Sequence, residues 1–221
     1  MPKYKLICFD VDGTLVDNVE YSWQIFHDYF KTDIALRESV RNAFLDGKIS
    51  YFEWAEHDIN LWKELNATKK QFFHAMELAG IKPMTGALEC IAELKKRNLR
   101  LAIVSGTLNV ILDKVYPDYE KIFSYVFLSR LLFDSDGKLS RAIPTRFDMD
   151  MKADALIHIS EKEGISLSEC VFIGDHNNDV KIAKIAGLGI AFNCKSDELR
   201  RIANIVIEKK DLKEVLRYII Q

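Results

Sequence analysis

Short apolar runs punctuate the chain at 5–9, 100–104, 125–128, 170–173, 189–192 and 204–207. Most are apolar at successive rather than alternate positions. That pattern predicts strands covered on both faces, as in a parallel sheet. Helical periods lie between the runs. Leu88, Ile91, Ala92 and Lys95 fit one helix. Ala153, Leu156, Ile157 and Ser160 fit another, with Gly164 placed to end it. A third helix is predicted over 178–186, before Gly187. A last one is predicted over 211–220, where Leu212, Val215, Leu216, Ile219 and Ile220 form one stripe behind Asp211.

The stretch 18–79 has helical periods and no convincing strand. Trp23, Phe26 and Phe30 share one face. Phe52, Ala55, Ile59 and Trp62 share another, opened by Ser50 with Glu53 three residues later. Phe72, Phe73 and Met76 follow Thr68, and all three tryptophans fall inside this stretch. Strand and helix alternate on either side of it. The predicted fold is therefore α/β, a doubly wound parallel sheet with a Rossmann-like core. Residues 1–16 and 81–221 would form the core, and 17–80 a helical cap inserted after the first strand. Asp136-Gly137 between two extended runs predicts a β-hairpin extension over 131–144.

Composition narrows the function without naming it. The 221 residues carry a net charge of −2, so no broad basic face is implied and nucleic acid is not a favoured partner. No apolar stretch approaches a membrane span, and no apolar leader precedes the first strand. A cytoplasmic protein without membrane contact is expected, as a monomer or homodimer. The four cysteines include no C-x-x-C pair and read as buried free thiols.

The chemistry gathers where apolar runs end. Asp10 and Asp12 follow the first run, and Gly13 permits a sharp exit. Asp175 ends a later run and Asp179 lies four residues on. In a parallel sheet these strand ends share one edge, where ligands bind. Four acids in one crevice repel one another unless a cation intervenes, and Mg²⁺, which takes oxygen ligands, fits. Ser105 and Gly106 leave another strand end and offer a hydroxyl and backbone N–H groups for phosphate oxygens. Lys152, between Ser105 and Asp175 in sequence, supplies a positive charge. Together they describe a phosphoryl-transfer site with Asp10 as nucleophile and Asp12 as general acid and base.

D-x-D-G-T at 10–14, V-S-G at 104–106, Lys152 and G-D-x-x-N-D at 174–179 resemble the four motifs of the haloacid dehalogenase-like hydrolases. Within that superfamily the chain is similar to the phosphoserine phosphatases, in the insert, the hairpin and the tail. The resemblance implies a phosphatase acting on a small phosphorylated metabolite through an aspartyl-phosphate. It implies Mg²⁺ on Asp10, Asp12 and Asp175, with Asp179 in support and Asn178 near the phosphate.

Some positions depart from the subfamily. Its members carry an acid after the first motif for the substrate amine, and a cap arginine for the carboxylate. Glu20 stands near the first position, and His57 stands where the arginine is expected. Neutral histidine lacks the bidentate fork of arginine, so His57 either recognises a different substrate group or lies on an exposed helix face. Thr107 replaces a commoner glycine and is expected to narrow the pocket. His176 either reaches the leaving group or faces solvent, and Trp54 lies off the apolar stripe as a candidate substrate contact. A phosphotransferase or mutase on the same scaffold, or a phospho-aspartate signalling domain, are the rival readings.

Overall fold

The computed structural model describes residues 3–220. The chain begins with β1 (Leu6–Phe9) and β2 (Val16–Asp17). Four helices follow: α1 (Ser22–Phe30), α2 (Ile34–Leu45), α3 (Tyr51–Glu64) and α4 (Lys69–Leu78). Next come β3 (Lys82–Pro83), α5 (Ala87–Lys96), β4 (Arg100–Leu108), α6 (Asn109–Val115) and α7 (Tyr119–Ile122). The hairpin is β5 (Tyr125–Phe133) and β6 (Leu139–Ile143), followed by α8 (Lys152–Glu163) and β7 (Cys170–Gly174). The remainder is α9 (Val180–Ile185), β8 (Leu188–Phe192), α10 (Asp197–Ile202), β9 (Ile205–Ile207) and α11 (Leu216–Ile219).

Seven strands make one sheet in the order β6-β5-β4-β1-β7-β8-β9, parallel except for the β5–β6 hairpin. β1 lies between β4 and β7, with Phe9 beside Ile103 on one side and Ile173 on the other. Its side chains explain its unbroken apolar run. Ile7 and Phe9 enter the core on one face of the sheet, Leu6 and Cys8 the core on the other. Either face exposed would leave alternate positions polar. All four cysteines are buried and free.

The chain leaves the core after β2 and rejoins it through β3. The two pair antiparallel, Val16 opposite Pro83 and Asp17 opposite Lys82, which holds both stalks of the insert together. Inside the insert, Phe26, Trp62 and Phe72 pack edge to face, with centroids 4.9–5.9 Å apart. Ser50–Glu53 and Thr68–Gln71 form capping boxes that start α3 and α4.

Three elements differ from the sequence pattern. β4 continues past Val104 to Leu108 through a register shift, so Ser105, Gly106 and Thr107 sit on strand rather than on a turn. The helix predicted over 178–186 starts with a tight turn, Asn177–Asp179, because the Asp179 carboxylate folds back to accept the Asp175 and His176 N–H groups. The last predicted helix is a tight turn, Leu212–Val215, before the short α11. Asp211 draws in the N–H of Lys213, two residues on.

Candidate active site

β1, β4 and β7 run in the same direction, so their carboxyl ends open on one crevice. Asp10 leaves β1 buried, its N–H donating to Ile173 O at 2.9 Å. Asp175 leaves β7, also buried. Between them lies Gly13, with φ +74°, packed so tightly that a Cβ there would collide with the Asp175 carboxylate. Only glycine satisfies both the backbone angle and the contact.

Asp10, Asp175 and Asp179 each turn one oxygen inward, all within 4.8 Å of one another. Lys152, wholly buried at the start of α8, donates to Asp10 Oδ1 at 2.7 Å and to Asp179 Oδ1 at 2.8 Å. Even with Lys195 Nζ 3.1 Å from Asp175 Oδ2, two ammonium groups do not neutralise three acids. Burial pushes the Asp10 carboxyl well above its usual range; Lys152 opposes the rise, and Asp179 and Asp175 add to it. Burial, with the charge of Asp179, raises Asp175 to about 7. Such a buried set of hard oxygen donors, short of positive charge, fits a divalent cation.

Asp12 is held apart from this group. Ser22 N–H donates to its Oδ2 and the Thr107 hydroxyl to its Oδ1, both at 2.8 Å. Its expected contribution to a metal therefore rests on the main-chain carbonyl. Burial raises the Asp12 pKa in spite of these donors. The Thr107 hydroxyl is committed to Asp12. Ser105 is buried beside it and accepts the Thr107 N–H at 3.3 Å. A Cβ on Gly106 would collide with the Asp148 carboxylate, so the strand end meets its neighbour through bare backbone.

A cavity of about 410 Å³ opens over these residues and under the inserted helices. Asp10, Asp12, Glu20, Ser105, Gly106, Thr107, Asp175 and Asn178 line it, as does Trp54, which stacks on Phe44. His57 does not line it; its Nδ1 lies 3.2 Å from Asp58 Oδ1. Asn178 Nδ2 donates to Asp148 Oδ1 at 3.1 Å. His176 faces the insert, 3.0 Å from the Tyr21 hydroxyl and 3.8 Å from Glu20.

Sequence reasoning missed four side chains here. Lys195 Nζ lies 3.1 Å from Asp175 Oδ2. It stands just past β8, where nothing in the local sequence sets it apart from a solvated surface lysine. Arg37 and Arg41 on α2 line the cavity. Their four-residue spacing puts them on one helix face, a visible signal, but α2 has no buried residue to show which face turns inward. Asp148 lies in an aperiodic loop and carried no signal.

A haloacid dehalogenase-like hydrolase model matches residues 4–187. The chain is 35% identical to the phosphoserine phosphatase of Methanocaldococcus jannaschii, over 98% of both chains. It is 31% identical to that of Archaeoglobus fulgidus, over 94% of this chain and 58% of that protein. Among solved structures it is similar to a substrate-bound phosphoserine phosphatase complex, with a TM-score of 0.75, 31% identity and coverage of 99% and 100%. It is similar also to a phospho-aspartyl intermediate analogue of phosphoserine phosphatase, with a TM-score of 0.74 and 32% identity over 98% of this chain and 99% of that one.

Proposed function

The chain belongs to the haloacid dehalogenase-like hydrolases as a phosphoserine phosphatase-like phosphoric monoester hydrolase, and we propose that it is a Mg²⁺-dependent phosphatase working through an aspartyl-phosphate on Asp10. The observation that carries this reading is the convergence of Asp10, Asp175 and Asp179 on one point, with Lys152 bridging Asp10 and Asp179. Residues from three separate stretches have no reason to bury so much charge together unless the charge is used.

In this reading Asp10 attacks phosphorus, and the bond to the leaving alcohol breaks as the Asp10–phosphorus bond forms. Asp12 gives its proton to the departing oxygen, then takes one from the water that cleaves the aspartyl-phosphate. The Ser105 hydroxyl, the Gly106 N–H and the Lys152 ammonium hold phosphoryl oxygens. Asp10, Asp175, Asp179 and the Asp12 carbonyl would hold Mg²⁺, which would supply positive charge to the phosphoryl group. Residues 17–80 act as a cap over a core of 1–16 and 81–221 and exclude water during the first step. The proposed setting is the cytoplasm; among the described residues no helix is long and apolar enough to cross a membrane.

For the substrate, the relatives' name suggests phosphoserine or a small phosphomonoester like it. Glu20 lines the cavity and is available to an amine. His57 lies off the cavity, and the guanidinium groups of Arg37 and Arg41 are the available partners for a carboxylate. The test is hydrolysis of p-nitrophenyl phosphate with and without Mg²⁺, beside Asp10→Asn. Equal rates in parent and variant would defeat the assignment. A panel of phosphoserine, phosphoamines and sugar phosphates then ranks the leaving groups.

A further inference from the structure

Thr107 stands at the carboxyl end of β4, and Ser22 is the first residue of α1 in the insert. Both are almost wholly buried. The Thr107 hydroxyl donates to Asp12 Oδ1 at 2.8 Å, and its oxygen lies 3.0 Å from Ser22 Oγ. A threonine hydroxyl has one proton. That proton is used on Asp12, so toward Ser22 the Thr107 oxygen can only accept. The Ser22 N–H meanwhile donates to Asp12 Oδ2 at 2.8 Å. Both oxygens of Asp12 are thereby fixed, one by the strand end and one by the first turn of the insert. A glycine at 107 would leave Oδ1 without this donor.

We propose that Thr107 is a positioning residue for Asp12. With Ser22 it holds the carboxyl in one orientation at the cavity and makes that orientation depend on the seating of the inserted helices. The chain Ser22–Thr107–Asp12 spans both sides of the cavity, so the acid is fully aligned only when α1 sits against β4. This rests on the phosphatase reading, in which Asp12 protonates the oxygen whose bond to phosphorus breaks as Asp10 bonds to phosphorus. The proton passes to the alcohol, the electron pair of the broken bond stays on its oxygen, and Asp12 is left as carboxylate.

The test exploits the leaving group. p-Nitrophenolate departs readily without a proton, whereas an alkoxide needs one, and positioned acids contribute about 10²–10⁴-fold. The value of kcat/KM covers the step in which the alcohol leaves, so it is compared for glycerol 2-phosphate and p-nitrophenyl phosphate with the Mg²⁺-loaded protein. Thr107→Val should lower the alkyl-to-aryl ratio by about tenfold or more. Thr107→Ser should restore most of it. Ser22→Ala should shift it the same way but less, because the Ser22 N–H remains. Should Thr107→Val not fold, Thr107→Ala serves in the same comparison. A ratio unmoved within about threefold, or Thr107→Ser behaving like Thr107→Val, overturns the proposal while leaving the phosphatase reading intact. A parent protein that hydrolyses neither ester overturns both.

Discussion

Lys152 Nζ lies 2.7 Å from Asp10 Oδ1, entirely shut off from solvent. Burial works against the charged ammonium, yet the carboxylates of Asp10, Asp179 and Asp148 hold its pKa above the usual lysine value. The pair is thus ionised on the lysine side, and it is the acids that are short of positive charge.

Removing that ammonium should be costly. Lys152→Met leaves buried carboxylates facing one another, and loss of one partner from a buried pair costs about 3–5 kcal/mol. The expected outcome is a lower unfolding midpoint in urea, together with loss of phosphatase activity by at least about a hundredfold. A variant as stable and active as the parent would assign Lys152 to neither role.

Divalent metal should stabilise the fold. Mg²⁺ at about 100 times its dissociation constant should add about 2.7 kcal/mol. Thermal unfolding with Mg²⁺ and with a chelator measures the difference. In Asp175→Asn the gain should shrink, because one of the three converging oxygens loses its charge. An undiminished gain would move the metal elsewhere.

The arginines of α2 should set preference among substrates. Arg37 Nη2 donates to Gln24 Oε1 at 3.2 Å, while its buried Nε has no acceptor among the described residues. Charge-assisted hydrogen bonds are worth about 1.5–3 kcal/mol. Arg37→Ala with Arg41→Ala should therefore lower kcat/KM for phosphoserine about 10–100-fold more than for glycerol 2-phosphate. Equal losses on both esters would remove the arginines from substrate recognition.

His27 should give the insert an acid-sensitive core. Burial lowers its pKa, outweighing the nearby Asp58, and its ring packs on Trp62. An unfolded histidine takes up a proton below about 6.5, where the folded one resists it. The unfolded state then binds more protons, so stability falls as pH drops through that value and gains nothing further above it. The deficit in thermal midpoint of His27→Gln relative to the parent should accordingly be larger at pH 8 than at pH 5. A gap that widens at low pH would mean the folded histidine is protonated.

Periodicity and local chemistry make much of this protein legible in the sequence. Unbroken apolar runs marked the parallel strands, since a strand covered on both faces has no polar side. Helical spacing marked the insert, and Ser50 and Glu53 announced the start of α3 as the capping box now observed. The convergence of Asp10, Asp175 and Asp179 followed from a general rule, that strands running in parallel end on the same edge.

What the sequence determined by itself was whatever depends on neighbours along the chain: the strands, most helices, and the acids that end strands. Only the tertiary structure decided which side chains from distant segments meet. It left His57 off the cavity while Arg37 and Arg41 line it, and it joined Ser22 to Thr107 across the two sides. Those outcomes hang on how α1 to α3 are rotated and seated against the sheet. That seating is settled by packing summed over many contacts, and no single stretch of sequence encodes it.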